Sequence, residues 1–307
     1  MIEQMQAEEK VQGYLYLQTC EVCLTKTNKP FVKGMLYGHG SISFKAWDNS
    51  DAYAVLVKED LTKQVVLVSA VIDEFKEIKS LTLETISSVP EAEELSYLDF
   101  LETIYDADEY YDTLTSCLRK YCSDDALKVF QIVMNDEDVR DSFRQEFAAV
   151  THHDSCKNGL LAHTTKVVKL MTFVNFYENM RNVVDYDLLF VAAALHDVGK
   201  CVEYYHGGMS EKGTIASHLT YGVLVISRYE QQIVALKGEV FYYGLIAVIS
   251  QHHGKFGDSP RILVSYLVHL MDSLDTTLTD METQLRDQKI SGIKKPICVR
   301  DIGKLNY

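Results

Sequence analysis

The chain has 307 residues, of which 47% are hydrophobic, and a formal net charge of -14. This length allows two domains of ordinary size, and the composition is that of a soluble globular protein with a sizeable core. The negative charge excludes a protein that holds nucleic acid by bulk attraction. Any contact with a polyanion has to be local, or has to be assisted by bound cations.

The N-terminal stretch MIEQMQAEEK is acidic and polar, whereas a signal peptide has a basic start and an apolar centre. The sequence contains no apolar run of about 18 residues, which a transmembrane helix would require. Seven cysteines, an odd number without a framework spacing, suit a reducing compartment. We therefore expect a cytoplasmic protein without a membrane contact.

The first third of the chain is rich in β-branched and aromatic residues and is interrupted by turn signals. This pattern predicts five strands, at residues 11–24, 31–38, 41–48, 64–75 and 80–89. The longer connection around NSDAYAVLVKED, between the third and fourth strands, is typical of a small OB-type barrel, with an SH3-like barrel as the alternative. We predict a five-stranded OB-type domain over residues 1–90 that ends at Pro90.

Beyond Pro90 the apolar residues recur at helical spacing. Residues 91–150 also carry many acidic side chains, which predicts a helical connector of three or four helices. Residues 151–307 form the second predicted domain, with helices at 159–180, 185–199, 215–235, 239–251 and 260–285. The predicted fold class is therefore α+β, a barrel followed by an all-α helical bundle.

The histidines are concentrated in the helical half, where nine of the ten lie between residues 152 and 269. Each histidine taken singly suits a satisfied core position. As a set they are harder to explain, because buried imidazoles and carboxylates from five helices are costly unless a cation lies among them. The residues concerned are His163, His196, Asp197, His218, His252, His253, Asp272 and Asp275. Such a mixture of donors suits Mn, Fe, Zn or a similar divalent ion.

The order His, His-Asp, His, His-His, Asp resembles the HD phosphohydrolase superfamily. This resemblance implies two divalent metal ions, with Mn²⁺ favoured and Fe, Mg, Zn, Co or Ni as alternatives. One ion would be held by His163, His196, Asp197 and Asp272. Asp197 would bridge to a second ion, which His218 and His252 would hold.

Several longer motifs resemble the YhaM-type 3′→5′ exoribonucleases: HHDSCKNGLLAHT, LLFVAAALHDVGK, ISQHHGKFGDSP and LVHLMDSLDTTL, with weaker agreement at KPF and KAWD. The resemblance covers most of residues 11–285. It implies a homo-oligomeric, metal-dependent exonuclease that degrades single-stranded RNA, with DNA as a further substrate, to nucleoside monophosphates. Asn158 and Gly159 stand where the family has a Gly-Gly pair, a departure that bears on the substrate rather than on the metal ligands.

Hydrolysis of a phosphodiester needs a nucleophile at neutral pH and relief of charge on the phosphoryl group, and a pair of metal ions supplies both. Besides Asp197, two residues are candidate catalytic groups. Lys200 is placed to meet a phosphate oxygen, although a cation at a helix C-terminus is the alternative. His253 is a metal ligand, a support for a ligand or a general acid.

Three further histidines receive weaker expectations. His152 and His153 precede the first ligand helix, and the family resemblance implies a position near the substrate. His269 lies one helical turn before Asp272 and orients that carboxylate or belongs to the core.

The predicted barrel carries a candidate surface for single-stranded nucleic acid. Strand alternation places Phe31, Lys33 and Tyr37 on one face of the second strand, and Lys45 and Trp47 on one face of the third. Aromatic rings interleaved with lysines suit base stacking and phosphate pairing. The local charge agrees, because residues 10–47 contain five lysines and a single glutamate before Asp48.

Two other functions remain open at this point. The metal site could hydrolyse a small nucleotide, such as a cyclic dinucleotide, with the barrel serving assembly or regulation. The acidic balance favours this alternative more than the motifs do. A nucleic-acid-binding module without activity is the other, and the complete set of ligand positions argues against it.

Overall fold

A computed structural model describes residues 8–38, 40–75, 78–89, 95–149, 154–254, 257–291, 296–299 and 303–305. His152, His153 and Pro90, about which the sequence raised expectations, lie outside the described residues. The chain divides into two compact units, residues 1–103 and residues 104–307. The division into segments 1–90, 91–150 and 151–307 stays a prediction.

The first unit is a closed barrel of five strands. These are β1 (Lys10–Leu24), β2 (Pro30–Tyr37), β3 (Ser41–Trp47), β4 (Gln64–Phe75) and β5 (Ile78–Ser88), with helix α1 (Asp51–Leu56) between β3 and β4. The strand order is β1-β2-β3-β5-β4, β4 returns to β1 antiparallel, and β3 pairs with β5 in parallel. The five-stranded barrel is therefore confirmed, and the helix after β3 favours the OB-type arrangement over the SH3-like one.

Side-chain alternation along the strands builds the barrel core. In β3, Ile42, Phe44 and Ala46 are buried, whereas Ser41 and Ser43 are exposed. The residue opposite Phe44 is Gly34, where a Cβ atom would lie 1.9 Å from the backbone oxygen of Thr19. Only glycine allows β1 and β2 to approach so closely, next to the irregular pairing of β1 at this point.

The second unit is mainly helical. Its helices are α2 (Ala107–Tyr121), α3 (Asp124–Met134), α4 (Glu137–Gln145), α5 (Gly159–Met171), α6 (Glu178–Val183), α7 (Tyr186–Leu195), α8 (Lys200–Glu203), α9 (His218–Ser227), α10 (Glu230–Lys237), α11 (Glu239–Gln251) and α12 (Leu263–Ser291). Two short hairpins accompany them: β6 (Tyr204–Tyr205) with β7 (Gly208–Met209), and β8 (Ile297–Val299) with β9 (Gly303–Leu305). The predicted α+β class is confirmed.

Many of the acidic side chains of the predicted connector lie at helix N-termini. Asp106, Ser123 and Asp136 accept backbone N–H groups at the starts of α2, α3 and α4, and each first turn carries two acidic residues. The two aspartates and the serine hydroxyl satisfy unpaired N–H groups, and the carboxylates of the first turns complement the helix dipole. The apolar faces of the same helices, including Phe130 and Phe143, join one core with α5 and α7.

One helix predicted to be continuous is interrupted. The α-helix that starts at Gly159 ends at Met171, and a 3₁₀ turn and α6 follow. Thr172 Oγ1 donates to Lys169 O at 2.7 Å, and Asn175 Nδ2 donates to Thr172 O at 2.9 Å. These short polar side chains compete for the carbonyls that would continue the helix, which apolar spacing alone does not reveal.

The predicted helix 215–235 is also divided, into α9 and α10, around Arg228 and Tyr229. Tyr229 has left helical geometry, with φ -111° and ψ 11°. Within the described part of the chain, no helix has both the length and the apolar character needed to cross a membrane.

Candidate active site

Five segments of the helical unit bring polar side chains to one place. They are the middle of α5, the end of α7, the start of α9, the end of α11 and the middle of α12. The side chains are His163, His196, Asp197, His218, His252 and Asp272, and all except Asp272 are buried. The structure thus brings together every residue that the sequence nominated as a metal ligand.

Asp197 lies at the centre, and its two carboxylate oxygens face different histidines. Oδ2 lies 3.5 Å from His163 Nε2 and 3.3 Å from His196 Nε2. Oδ1 lies 3.6 Å from His218 Nε2 and 3.4 Å from His252 Nε2. The donors therefore fall into two groups that share one carboxylate, which is the arrangement a bridging ligand requires.

His196 and His252 occupy equivalent places, each just after the last residue of an apolar helix. Their Nδ1 atoms donate to the carbonyls of Ala193 and Ile249, at 2.8 and 3.0 Å. Carbonyls in the last turn of a helix lack intrahelical partners, so they are free to accept these bonds. The bonds leave Nε2 of each ring as the atom that faces Asp197.

The buried atoms at the centre are poorly satisfied by the protein alone. His196 Nε2, His252 Nε2 and Asp197 Oδ1 make no aligned hydrogen bond with any residue that the structure describes. Buried polar atoms normally have partners, and these three belong to the donor types that bind divalent transition metals. The residues present therefore fit a metal ion.

His163 is held between two aspartates of α12. Its Nε2 lies 3.2 Å from Asp272 Oδ1, and its Nδ1 lies 2.7 Å from Asp275 Oδ2. Burial opposes a charge on the ring, but the bonds with Asp272 and Asp275 outweigh burial and raise the pKa of His163 to about 10. Without a cation the imidazole is therefore protonated at neutral pH.

Lys200 lies against the shared carboxylate, with Nζ 2.6 Å from Asp197 Oδ2. Burial alone would raise the pKa of Asp197, but the adjacent ammonium of Lys200 and the contacts with His196 and His252 hold it well below its ordinary value. Lys200 is the first residue of α8. Because α8 has only four residues, Lys200 also lies in its last turn, so the alternative interpretation as a cation at a helix C-terminus stays open.

His253 joins the second group of donors. Its Nε2 lies 3.1 Å from His218 Nε2, and it clusters with Asp197, His218 and His252. Burial and the neighbouring His252 lower the pKa of His253 to about 3. The imidazole is then neutral near pH 7 and carries no extra proton to give to a leaving group. Among the roles left open by the sequence, the geometry favours a ligand.

His269 contacts the turn after α11 instead of Asp272. Its Nδ1 lies 2.6 Å from His252 O. The ring also covers Gly254, where φ is +55° and a Cβ atom would lie 2.8 Å from His269 Cε1. This contact supports the segment that carries His252 and His253.

Three charged residues next to the site, Glu203, Lys166 and Asp154, were not nominated from the sequence, whereas Asp275 was. Glu203 Oε2 accepts from His218 Nδ1 at 2.8 Å, and Asp275 lies against His163. Behind Asp275, Lys166 bonds to Asp154 at 2.8 Å. Glu203 could have been found from its position one turn after Lys200. Nothing local in the sequence indicates the roles of Lys166 and Asp154.

The predicted nucleic-acid surface of the barrel is only partly exposed. Phe31 and Trp47 lie side by side with ring centroids 5.4 Å apart, and Trp47 is 37% exposed. Lys33 and Lys45 lie opposite each other in the β2–β3 register. Lys33, however, forms an ion pair with Glu21 at 2.7 Å, which offsets part of its charge.

Tyr37 is a correction to this predicted surface. It is only 8% exposed and therefore does not offer its ring to a base. Alternation assumes that one face of a strand stays open, but at the end of β2 both Leu36 and Tyr37 are buried. We remove Tyr37 from the candidate surface.

Residues 160–277 match the family model of the HD domain. This range contains all the donors described above, so the site lies in a segment that matches the HD domain, and this match together with the relatives below shows that the protein is a hydrolase. Over most of its length the chain is also similar to enzymes named 3′-5′ exoribonuclease YhaM.

The relative from Bacillus subtilis (strain 168) is 25% identical, over 92% of this chain and 89% of the relative. The relative from Listeria innocua is 24% identical, over 92% of this chain and 90% of the relative. The resemblance predicted from the sequence is confirmed.

The departure at Asn158 from the Gly-Gly pattern is accommodated by the backbone. Asn158 is left-handed, with φ 66°, a conformation that asparagine tolerates better than most residues. Its side chain donates to Tyr105 O at 2.9 Å. At Gly159 a Cβ atom would lie 2.0 Å from Asp154 O, so this second glycine is required.

Proposed function

We propose that the protein is a metal-dependent 3′→5′ exonuclease that degrades single-stranded RNA to nucleoside monophosphates. The observation that carries the proposal is the carboxylate of Asp197, whose two oxygens face two separate groups of buried histidines. The similarity to enzymes named exoribonucleases, over 92% of the chain, supports RNA as the substrate.

The proposed metal centre uses the two groups of donors. His163, His196, Asp197 and Asp272 would hold one divalent cation, and Asp197, His218, His252 and His253 the other. Mn²⁺ is the ion we favour, because the resemblance to the exoribonuclease family implies it; the imidazole and carboxylate donors are compatible with it. Bound cations would supply charge neutralisation on the phosphoryl group and activation of water.

The side chains of the protein itself prepare the site. The buried histidines keep bulk water from one side of the centre, which strengthens the electrostatic interactions there. The ammonium of Lys200 adjoins the shared carboxylate and would meet a phosphate oxygen of the substrate bound beside it. No protein nucleophile is needed, which agrees with a site made of ligands and one cationic side chain.

The barrel would hold the RNA strand upstream of the cleaved end. Phe31 and Trp47 form an aromatic pair at one end of the β2–β3 surface, and Lys45 has no ion-pair partner among the described residues. Aromatic faces stack on bases of any sequence, and an unpaired lysine is available for a phosphate. The unit would therefore increase affinity for long strands without selecting a sequence.

Removing this surface should weaken the binding of long strands only. For Trp47→Ala combined with Lys45→Ala we expect an affinity loss of roughly 10–100-fold, because stacking on one base contributes about 1–3 kcal/mol. Fluorescence anisotropy with a long single-stranded RNA measures this loss, and hydrolysis of a dinucleotide should be unchanged.

The matched control replaces an aromatic residue and a lysine elsewhere on the same barrel, Phe75→Ala with Lys58→Ala, both of which are exposed. It should bind long RNA as the wild type does. An equal loss of RNA affinity in both double variants would contradict the proposed role of the barrel surface. A loss of dinucleotide hydrolysis as large as the loss of RNA affinity would contradict it too.

The remaining parts of the proposal concern organisation. We propose that residues 1–90 bind the strand, residues 91–150 connect, and residues 151–307 carry the catalysis. We also propose a homo-oligomer, and a cytoplasmic location in keeping with the cysteine usage.

A single assay tests the activity. Protein depleted of metal by EDTA should be inert, and added Mn²⁺ should restore shortening of a 5′-labelled single-stranded RNA, one nucleotide at a time from the 3′ end. Parallel reactions contain a cyclic dinucleotide and a simple bis-phosphodiester. Turnover of the small substrates alone would show that the substrate is a small nucleotide and not RNA. A protein that binds metal ions but hydrolyses none of these substrates would support the alternative of a nucleic-acid-binding module without activity.

A further inference from the structure

Two histidines of the site are backed by buried carboxylates. His163 Nδ1 lies 2.7 Å from Asp275 Oδ2, and His218 Nδ1 lies 2.8 Å from Glu203 Oε2. Asp275 is 4% exposed and Glu203 is 6% exposed. In both rings the opposite nitrogen, Nε2, is the atom that faces Asp197.

The other two histidines are backed by backbone instead. His196 and His252 donate Nδ1 to carbonyls of their own helices, at Ala193 and Ile249. Each group of donors around Asp197 therefore contains one histidine held by a carboxylate and one held by a carbonyl. His163 and His196 belong to the first group, and His218 and His252 to the second.

The carboxylates differ from the carbonyls in charge. A carboxylate behind an imidazole fixes the tautomer and the ring orientation, and it also makes Nε2 a stronger donor to a cation. Asp275 and Glu203 do not contact the centre themselves; they act through one ring each. The two carboxylates come from different elements, α12 and α8, so the two effects have separate structural origins.

Each carboxylate has a second contact that anchors it. Glu203 Oε1 accepts the backbone N–H of His218 at 3.0 Å, so one carboxylate holds both the ring and the start of α9. Asp275 Oδ2 lies 3.6 Å from the ammonium of Lys166, which is bonded in turn to Asp154 and to Thr279. These anchors restrict each carboxylate to the position at which it meets its histidine.

We propose that Asp275 and Glu203 are positioning residues, and that each sets the affinity of one of the two cation subsites through one histidine. Asp275 acts on the subsite of His163, and Glu203 acts on the subsite of His218. This inference rests on the proposed metal centre. The inference adds that the cation affinities of the two subsites are set separately, although both subsites share Asp197.

The test uses metal-depleted full-length protein and titration with Mn²⁺ by calorimetry, with metal content counted by elemental analysis. Asp275→Asn and Glu203→Gln keep the size and an acceptor oxygen but remove the charge. In each variant we expect one of the two ions to bind roughly 10–100-fold more weakly, while the other binds as in the wild type.

A third substitution identifies which ion is affected. His163→Asn removes a ligand of the first subsite, so the remaining ion reports on the second. In this background Glu203→Gln should weaken the remaining ion by the same factor as before, whereas Asp275→Asn should have no further effect. A residue with a merely structural role would not produce this selectivity.

Matched controls distinguish the effect of removing a carboxylate behind a site histidine from the effect of removing any buried carboxylate. Glu146 is also a buried glutamate and accepts the N–H groups of His206 and Gly207, both at 2.9 Å. Asp187 pairs with Lys237 at the opposite end of α7 from His196. Glu146→Gln and Asp187→Asn should leave both ion affinities unchanged, and thermal unfolding of the metal-depleted variants verifies that they are folded.

The outcomes are distinguishable. Two ions bound by the wild type, with affinities unchanged in Asp275→Asn and Glu203→Gln or weakened equally at both subsites, would overturn the inference and leave the proposed metal centre intact. A similar weakening in the control variants would also overturn it. A wild-type protein that binds no Mn²⁺ would overturn both.

Discussion

Asp197→Asn should reduce Mn²⁺-dependent hydrolysis of RNA to below about 1% of the wild-type rate. The substitution keeps the volume of the side chain but removes the charge that faces His163, His196, His218 and His252. Loss of a residue that only supports a ligand costs about 10–100-fold. Loss of the shared ligand should exceed this cost, because both cation subsites depend on it.

The variant also has a predictable effect on folding. The ammonium of Lys200 is buried beside Asp197, and breaking a buried ion pair from one side costs about 3–5 kcal/mol. Addition of Lys200→Met removes the unpaired charge, so the double variant should regain stability without regaining activity. Thermal unfolding and hydrolysis rates measure the two effects separately. Wild-type activity with two ions retained in Asp197→Asn would refute the bridging assignment.

Gly199→Ala should inactivate the enzyme for a purely steric reason. Gly199 has an ordinary helical backbone, with φ -66°, so alanine is acceptable by conformation alone. An added Cβ atom, however, would lie 1.9 Å from the backbone oxygen of His218 and 2.4 Å from the backbone nitrogen of Gly222. Both atoms belong to the backbone of α9, so the helix itself has to move.

This displacement would move His218, at the start of α9, away from Asp197, which lies two residues before Gly199. We expect a loss of about 3 kcal/mol in the free energy of unfolding, as for overpacked cores, together with loss of one bound Mn²⁺. Chemical denaturation and metal analysis measure the two quantities.

Gly244→Ala is the matched control for Gly199→Ala, since its added Cβ atom would meet only the side-chain end of Leu188. Alanine favours a helix interior over glycine by about 1 kcal/mol, so this variant should be as stable as the wild type and fully active. Equal stability and metal content in Gly199→Ala and Gly244→Ala would refute the steric argument.

The elements of the fold follow from local patterns. Alternation at Ile42, Phe44 and Ala46 identifies β3, and the apolar run before His196 identifies α7. The prediction of one continuous helix over 159–180 failed because short polar side chains redirect the backbone there. Thr172 and Asn175 end α5 through bonds to carbonyls, and no apolar periodicity signals such bonds.

The site was predictable in its ligands but not in its internal geometry. His163, His196 and Asp272 have side chains that bind divalent metal ions, and their order along the chain matches the motifs of the HD family. The burial of Tyr37 and the pairing of Lys33 with Glu21 depend on neighbouring strands, so alternation within one strand could not indicate them.

The sequence by itself determined the five strands, the helical half and the identity of the residues that meet at the centre. The strands and helices follow from the spacing of apolar residues along the chain, and the ligand set follows from the resemblance of the motifs to the HD family. Only the tertiary structure decided which oxygen of Asp197 faces which histidine, and that Glu203 and Asp275 stand behind His218 and His163. Such contacts are set by how α5, α8, α9 and α12 pack, and packing brings together atoms whose separation in sequence carries no local signal.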